Sequence, residues 1–182
     1  MGYIGTRPQL FFQKIIESLD HNSKVILEKL NLKTDWVRKS FNDSPEDISL
    51  EKILEKYLFE SLTLSRFNEL FSIVSIFSTH QLELILNAIK QLPDIDSKRE
   101  CSIQFLQRIA SDLDFYHFGR MIYDKEIRLL VLPNSHLQKL QEIRKELTGR
   151  NSFNWVRFFK RFPNLLTERD PNNVSQYLAG FE

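Results

Sequence analysis

The stretch Leu62–Leu92, LTLSRFNELFSIVSIFSTHQLELILNAIKQL, decides the fold. Its Phe67, Leu70, Phe71, Val74 and Phe77 recur at steps of three and four, which stacks them on one face of a helix. Ile73 and Ile76 widen that apolar face, while Ser72, Ser75 and Ser78 are small enough for a neighbouring helix to come close. The pattern predicts a helix over 66–77, buried on several sides and central to the core. Ser78 followed by Gln81 matches a capping box, in which each side chain satisfies an orphan backbone N–H. A second helix then carries Leu82, Ile85, Ile89 and Leu92 on one stripe, with Leu84 and Ala88 beside it, and Pro93 ends it. So short a connection predicts an antiparallel pair.

Towards the N-terminus, residues 1–7 read as disordered and 8–182 as a single helical domain. Pro8 suits the first position of a helix bearing Leu10, Phe11, Ile15, Ile16 and Leu19, which Asp20-His21-Asn22 breaks. Ser23 is a cap for a short helix with Ile26, Leu27 and Leu30, and Thr34 or Asp35 for another with Trp36, Val37 and Phe41. Asn42-Asp43-Ser44-Pro45 is a turn, after which Ser49 caps a helix with Ile53, Leu54, Tyr57 and Leu58.

Towards the C-terminus, Asp94–Asp96 reads as a loop before a capping box of Ser97 and Glu100, with Ile103, Leu106, Ile109, Ala110 and Leu113 behind it. Residues 120–132 admit two readings. One is a small β-hairpin; the other is a short helix capped by Asp124 and stopped by Pro133, which the flanking helices favour. Ser135 with Gln138 opens a helix that Gly149 closes, Ser152 starts the next, and Asp170-Pro171 starts the last. The fold class is therefore all-α. It is either an irregular multi-helix bundle or a short stack of antiparallel helical hairpins, since helix starts near 8, 34, 65, 97 and 135 resemble the spacing of HEAT-like repeats.

Composition narrows the functional classes. Of 182 residues, 42% are apolar and 27% charged, the proportions of a globular chain rather than a disordered one. No apolar run reaches the roughly 18–20 residues of a membrane span. The single cysteine, Cys101, allows no internal disulfide and suits a reducing, cytoplasmic compartment. Five glycines, none of them clustered, leave no phosphate-binding loop and no nucleophile elbow.

The four histidines, His21, His80, His117 and His136, lack the paired spacing of a metal site, so no metal and no cofactor is expected. Asp114 and His117 are the pair best placed for general-base work on a helix, yet no nucleophile or oxyanion donor accompanies them. The simpler reading packs Phe115, Phe118 and Ile122 inward and leaves the polar residues in solvent. No catalytic residue is assigned, and an enzyme ranks third among the functional readings.

Charge is distributed unevenly beneath a net of +1. Residues 42–69 carry seven acids against three bases, and residues 117–162 ten bases against four acids. Within the basic half, a helix after Ser152 gathers Trp155, Phe159 and Phe162 on one side and Arg157, Lys160 and Arg161 on the other. With Arg150, these cations form the candidate binding patch. The expected function is an intracellular adaptor, regulator or effector that binds another protein through a helical surface. The alternative is a binder of anionic membrane or nucleic acid through the basic half.

Overall fold

The computed structural model describes Glu17 and residues 21–31, 49–63 and 66–181, and every regular element among these residues is helical. Residues 1–7, the helix from Pro8, the helix with Trp36 and the turn at 42–45 lie outside them. The chain gathers into two compact units that divide between Gln91 and Leu92.

The first unit contains α1 (His21–Lys29), α2 (Leu50–Thr63), α3 (Asn68–Phe71), a 3₁₀ turn at Val74–Ile76 and α4 (Thr79–Lys90). Phe67, Leu70, Phe71, Val74 and Phe77 are all buried, as their periodicity demands. The continuous helix expected over 66–77 is nevertheless broken. The Ser72 hydroxyl donates to the Glu69 carbonyl at 2.6 Å, giving the backbone a local alternative to the helix. The β-branched Ile73 and Val74 that follow resist helical continuation. The Ile73 N–H then bonds three residues back, to Leu70 at 3.2 Å, which is 3₁₀ rather than α spacing.

The break also changes the pairing. The main helix pair of this unit is α2 with α4, not the expected hairpin of 66–77 with 79–92. Helix α4 itself matches expectation: Ser78 and Gln81 form the reciprocal capping box, and Leu82, Leu84, Ile85, Ala88 and Ile89 are buried. Ser49 caps α2 by accepting the Lys52 N–H. Ser23 is no cap, because it lies buried inside α1, and His21 and Asn22 are helical rather than a break. The Asn22 side chain instead donates to the Ile76 carbonyl at 3.2 Å, tying α1 to the 3₁₀ turn.

The second unit is built on α5 (Ile95–Asp112), against which α6 (Phe115–Ile122), α7 (Lys125–Val131), α9 (Trp155–Arg161) and a 3₁₀ turn at Pro163–Leu166 pack. Helix α8 (Asn134–Thr148) pairs with α10 (Pro171–Gly180), and α9 also packs on α6. That α9 reaches back to α5 and α6 identifies this unit as an irregular bundle and not a stack of successive hairpins. Residues 120–132 contain the end of α6 and all of α7, which removes the β-hairpin alternative. Asp124 caps α7 by accepting the Ile127 N–H.

Three starts differ from expectation. Helix α5 begins three residues earlier than Ser97 implies, because Asp94 accepts both the Ser97 N–H (2.7 Å) and its hydroxyl (2.8 Å). Helix α8 begins at Asn134, directly after Pro133 and without a side-chain cap, so Ser135 is already inside it. Asn154 rather than Ser152 caps α9, accepting the Arg157 N–H at 3.0 Å. The ends are closer to plan. Gly149 takes the left-handed conformation (φ 70°) that terminates α8, and Asp170 caps α10 with Pro171 in its first turn.

Phe158 anchors the core of this unit. Its ring lies within 5.2–5.9 Å of Phe153, Trp155, Phe159, Phe162 and Phe181. Edge and tilted arrangements dominate these pairs, as the ring quadrupoles favour.

Candidate functional site

Helix C-termini leave carbonyl groups without intrahelical partners, and cations are favoured there. Several bases of the second unit fill this role. Lys160 extends from α9 and donates to the Ala110 carbonyl near the end of α5 at 2.9 Å. Arg99 Nε and Arg169 Nη2 donate to the consecutive carbonyls of Leu130 and Val131 at the end of α7, at 3.3 and 2.6 Å. Arg128 bonds Asn134 at 2.9 Å. Arg144 is buried, its guanidinium 4.8 Å over the Phe153 ring.

The candidate patch is thereby divided. Arg157 and Arg161 are exposed one turn apart on α9, and Arg150 is exposed in the segment that precedes it. Arg157 also lies over the Phe181 ring at 5.8 Å. Lys160 is half-buried and points at α5. On the other side of α9, Trp155, Val156, Phe158 and Phe159 are buried.

Asp114 and His117 do come together. The carboxylate caps α6 by accepting the His117 N–H and also meets the ring Nδ1, each at 2.8 Å. These hydrogen bonds, the backbone one first, hold the Asp114 carboxyl below its usual range. The arrangement serves to start a helix. Among the described residues, no three His, Cys, Asp or Glu side chains are grouped to hold a metal ion. Cys101 is 3% exposed, and burial pushes its thiol up to about 12, so it is not a nucleophile at neutral pH.

His136 is the more consequential histidine. It is 7% exposed, and its Nε2 has no hydrogen-bond partner. Burial, then Arg169 and Lys139, lower its pKa, with Glu168 opposing them. The neutral ring is therefore favoured in the folded state. Its contribution to stability is complete above the unfolded value of about 6.5 and is lost as pH falls through the lower folded value. Denaturant midpoints measured between pH 7.5 and 5 are expected to fall for the native chain and to fall less for His136→Leu. Parallel pH profiles would exclude His136 as the source.

The solvent face of α6 holds what sequence reading missed. Phe118, Met121 and Ile122 are buried, but Phe115, expected inward, is 49% exposed. At 100° per residue, the phase that buries Phe118 and Met121 turns residues 116, 120 and 123 outward together. Tyr116 is 64% and Tyr123 45% exposed, with Arg120 exposed between them. Burial of its remaining surface raises the Tyr123 phenol. Gly119, between the two tyrosines, sits where an added Cβ would lie 3.4 Å from Val156 of α9. The spacing i, i+4, i+7 could have revealed this stripe, but the segment's mixed polarity reads equally well as a solvated surface.

In the first unit, a groove of about 290 Å³ runs between α2 and α4. Leu84 and Ala88 line it with Phe59, Glu55, Asn87, Lys90 and Gln91. It holds no cluster of catalytic groups. No helix among the described residues is long and apolar enough to cross a membrane. Compared with protein-family models, curated proteins and solved structures, the chain matches none.

Proposed function

We propose that the chain is a protein–protein interaction module whose docking face lies on α6 and α7. One observation carries this reading. Of eight large apolar residues exposed among the described residues, Phe115, Tyr116, Tyr123 and Leu129 fall within fifteen consecutive positions. Single exposed apolar residues are ordinary, whereas a concentration of them, rich in tyrosine and interleaved with arginine, has the composition of an interface. The test is affinity capture from the cells that make the protein, using the native chain and Tyr116→Ala/Tyr123→Ala in parallel. Partners retained by the native chain are expected to be lost from the variant. Identical capture would remove α6 from the interface.

A second reading rests on Arg150, Arg157 and Arg161, exposed in and just before α9. These cations suit an acidic protein surface, anionic lipid or nucleic acid. Binding through them weakens steeply as salt rises, while apolar docking on α6 changes little.

A further inference from the structure

We propose that α8 and α10 swing off the rest of the second unit as one body, held closed by Arg169 and released when His136 takes up a proton. The principal helix pairings of this unit fall into two sets. Helix α8 pairs with α10, while α5, α6, α7, α9 and the 3₁₀ turn at Pro163–Leu166 pair among themselves. Short joints connect the sets: residues 132–133 before α8, 149–154 after it, and 167–170 before α10. A Cβ added at Gly149 would meet open space, so nothing packs against the middle joint at that point.

Closure is held at few places. Arg169, in the joint before α10, donates to the Leu166 carbonyl at 3.0 Å and to the Val131 carbonyl at 2.6 Å. Arg128 of α7 holds Asn134 at the start of α8. Phe181 sets a half-buried ring against Phe153, Phe158 and Phe162, and Tyr177 meets Phe162. The helices themselves bury little: α10 buries only Val174 and Leu178, and α8 only His136, Leu140 and Arg144. Two of the three on α8 are polar, and His136 Nε2 and Arg144 Nε have no hydrogen-bond partner. Exposure to water relieves both nitrogens, so opening costs this pair less than it would cost the apolar face of α5.

Charge around His136 makes the release sensitive to acid. Arg169 and Lys139 set positive charge beside the ring, and Glu168 opposes them. Arg99 of α5 in turn presses on Arg169. Helix α10 carries no charged residue, and Tyr177 is its one titratable side chain. A proton on His136 therefore creates a buried cation next to the arginine that holds the joint. Opening lets the ring take up its proton at the ordinary value of about 6.5. The opening constant accordingly grows as pH falls below that value, until the closed form protonates as well. Release uncovers the rings of Phe158 and Phe162 that Phe181 and Tyr177 cover, while α6 stays with the folded set.

The test is amide hydrogen exchange of the full chain between pH 7.5 and 5, read by peptide mass spectrometry and divided by the intrinsic rate at each pH. Amides of α8 and α10 are expected to share one opening constant, larger than that of α5. Acid should raise it by up to about thirtyfold, the limit for one proton over this range. It should stay flat in His136→Leu, or in His136→Gln if the leucine variant does not fold. Arg169→Met should raise it about tenfold or more at pH 7.5, with α5 still protected. Exchange of α8 and α10 only at the rate of α5 would overturn the inference, as would opening of α10 without α8. So would a constant that ignores pH in the native chain, one that still responds to acid without His136, or one unmoved by Arg169→Met.

Discussion

Phe158→Ala is expected to lower the free energy of unfolding by about 3–5 kcal/mol, because it removes a buried ring and leaves a cavity that its neighbours cannot fully close. Phe158 is completely buried, and five aromatic rings surround it. Those rings come from the lead-in to α9, from α9 itself, from Phe162 just beyond it and from Phe181 after α10. Truncation therefore loosens several segments at once, which places the effect towards the upper end of the range. Phe158→Leu retains most of the volume and should cost less. Equilibrium denaturation in urea measures both variants. A loss below about 1 kcal/mol for the alanine variant would mean that the core of the second unit lies elsewhere.

Lys160→Glu is expected to destabilise by about 1.5–3 kcal/mol, the range for losing a hydrogen bond to a charged donor. The Ala110 carbonyl loses its ammonium donor, and a carboxylate is left facing the negative end of α5. Arg157→Glu/Arg161→Glu reverses two charges on the same helix and should change stability by less than about 1 kcal/mol, since exposed charges contribute little. The contrast tests the division of the basic face directly. Equal losses from the two variants would show that Lys160 has no special role. A large loss from the double variant alone would reverse the assignment.

Much of the fold was legible because burial follows spacing. Phe67, Leu70, Phe71, Val74 and Phe77 are inside although the helix that should carry them is interrupted. Side-chain periodicity survives a change from α to 3₁₀ geometry over a few residues, whereas helical continuity depends on local competition from a hydroxyl such as that of Ser72. Caps were legible at Ser49, Ser78, Asp124 and Asp170, where a capping side chain sits at the break before an amphipathic run. They were misread at Ser97 and Ser135. There a stronger acceptor, Asp94, or the stiff Pro133 stands just upstream and sets the boundary first.

The candidate site was legible in sign and not in arrangement. The excess of bases in 117–162 is plain from composition, but which bases of this unit are occupied depends in part on backbone carbonyls far away in sequence. Lys160 reaches Ala110, fifty residues back, and Arg169 reaches Val131, thirty-eight residues back. A carbonyl leaves no mark on a residue's identity, so nothing in the order of letters separates an occupied cation from one facing water. The α6 stripe was hidden for a related reason. Phe115 shares the i, i+3, i+7 spacing of Phe118 and Ile122, but the burial of Met121 shifts the inward face away from it and leaves it partly outward.

The burial of Cys101 has a practical side. A chain whose one thiol is shielded and held protonated does not compete for maleimide while folded. Tyr116→Cys or Arg161→Cys would accept a single dye without prior removal of the native cysteine. A fluorophore on α6 and another on α9, in separate preparations, would then report which of the two helices a partner touches, in a protein whose interior has been left as it was.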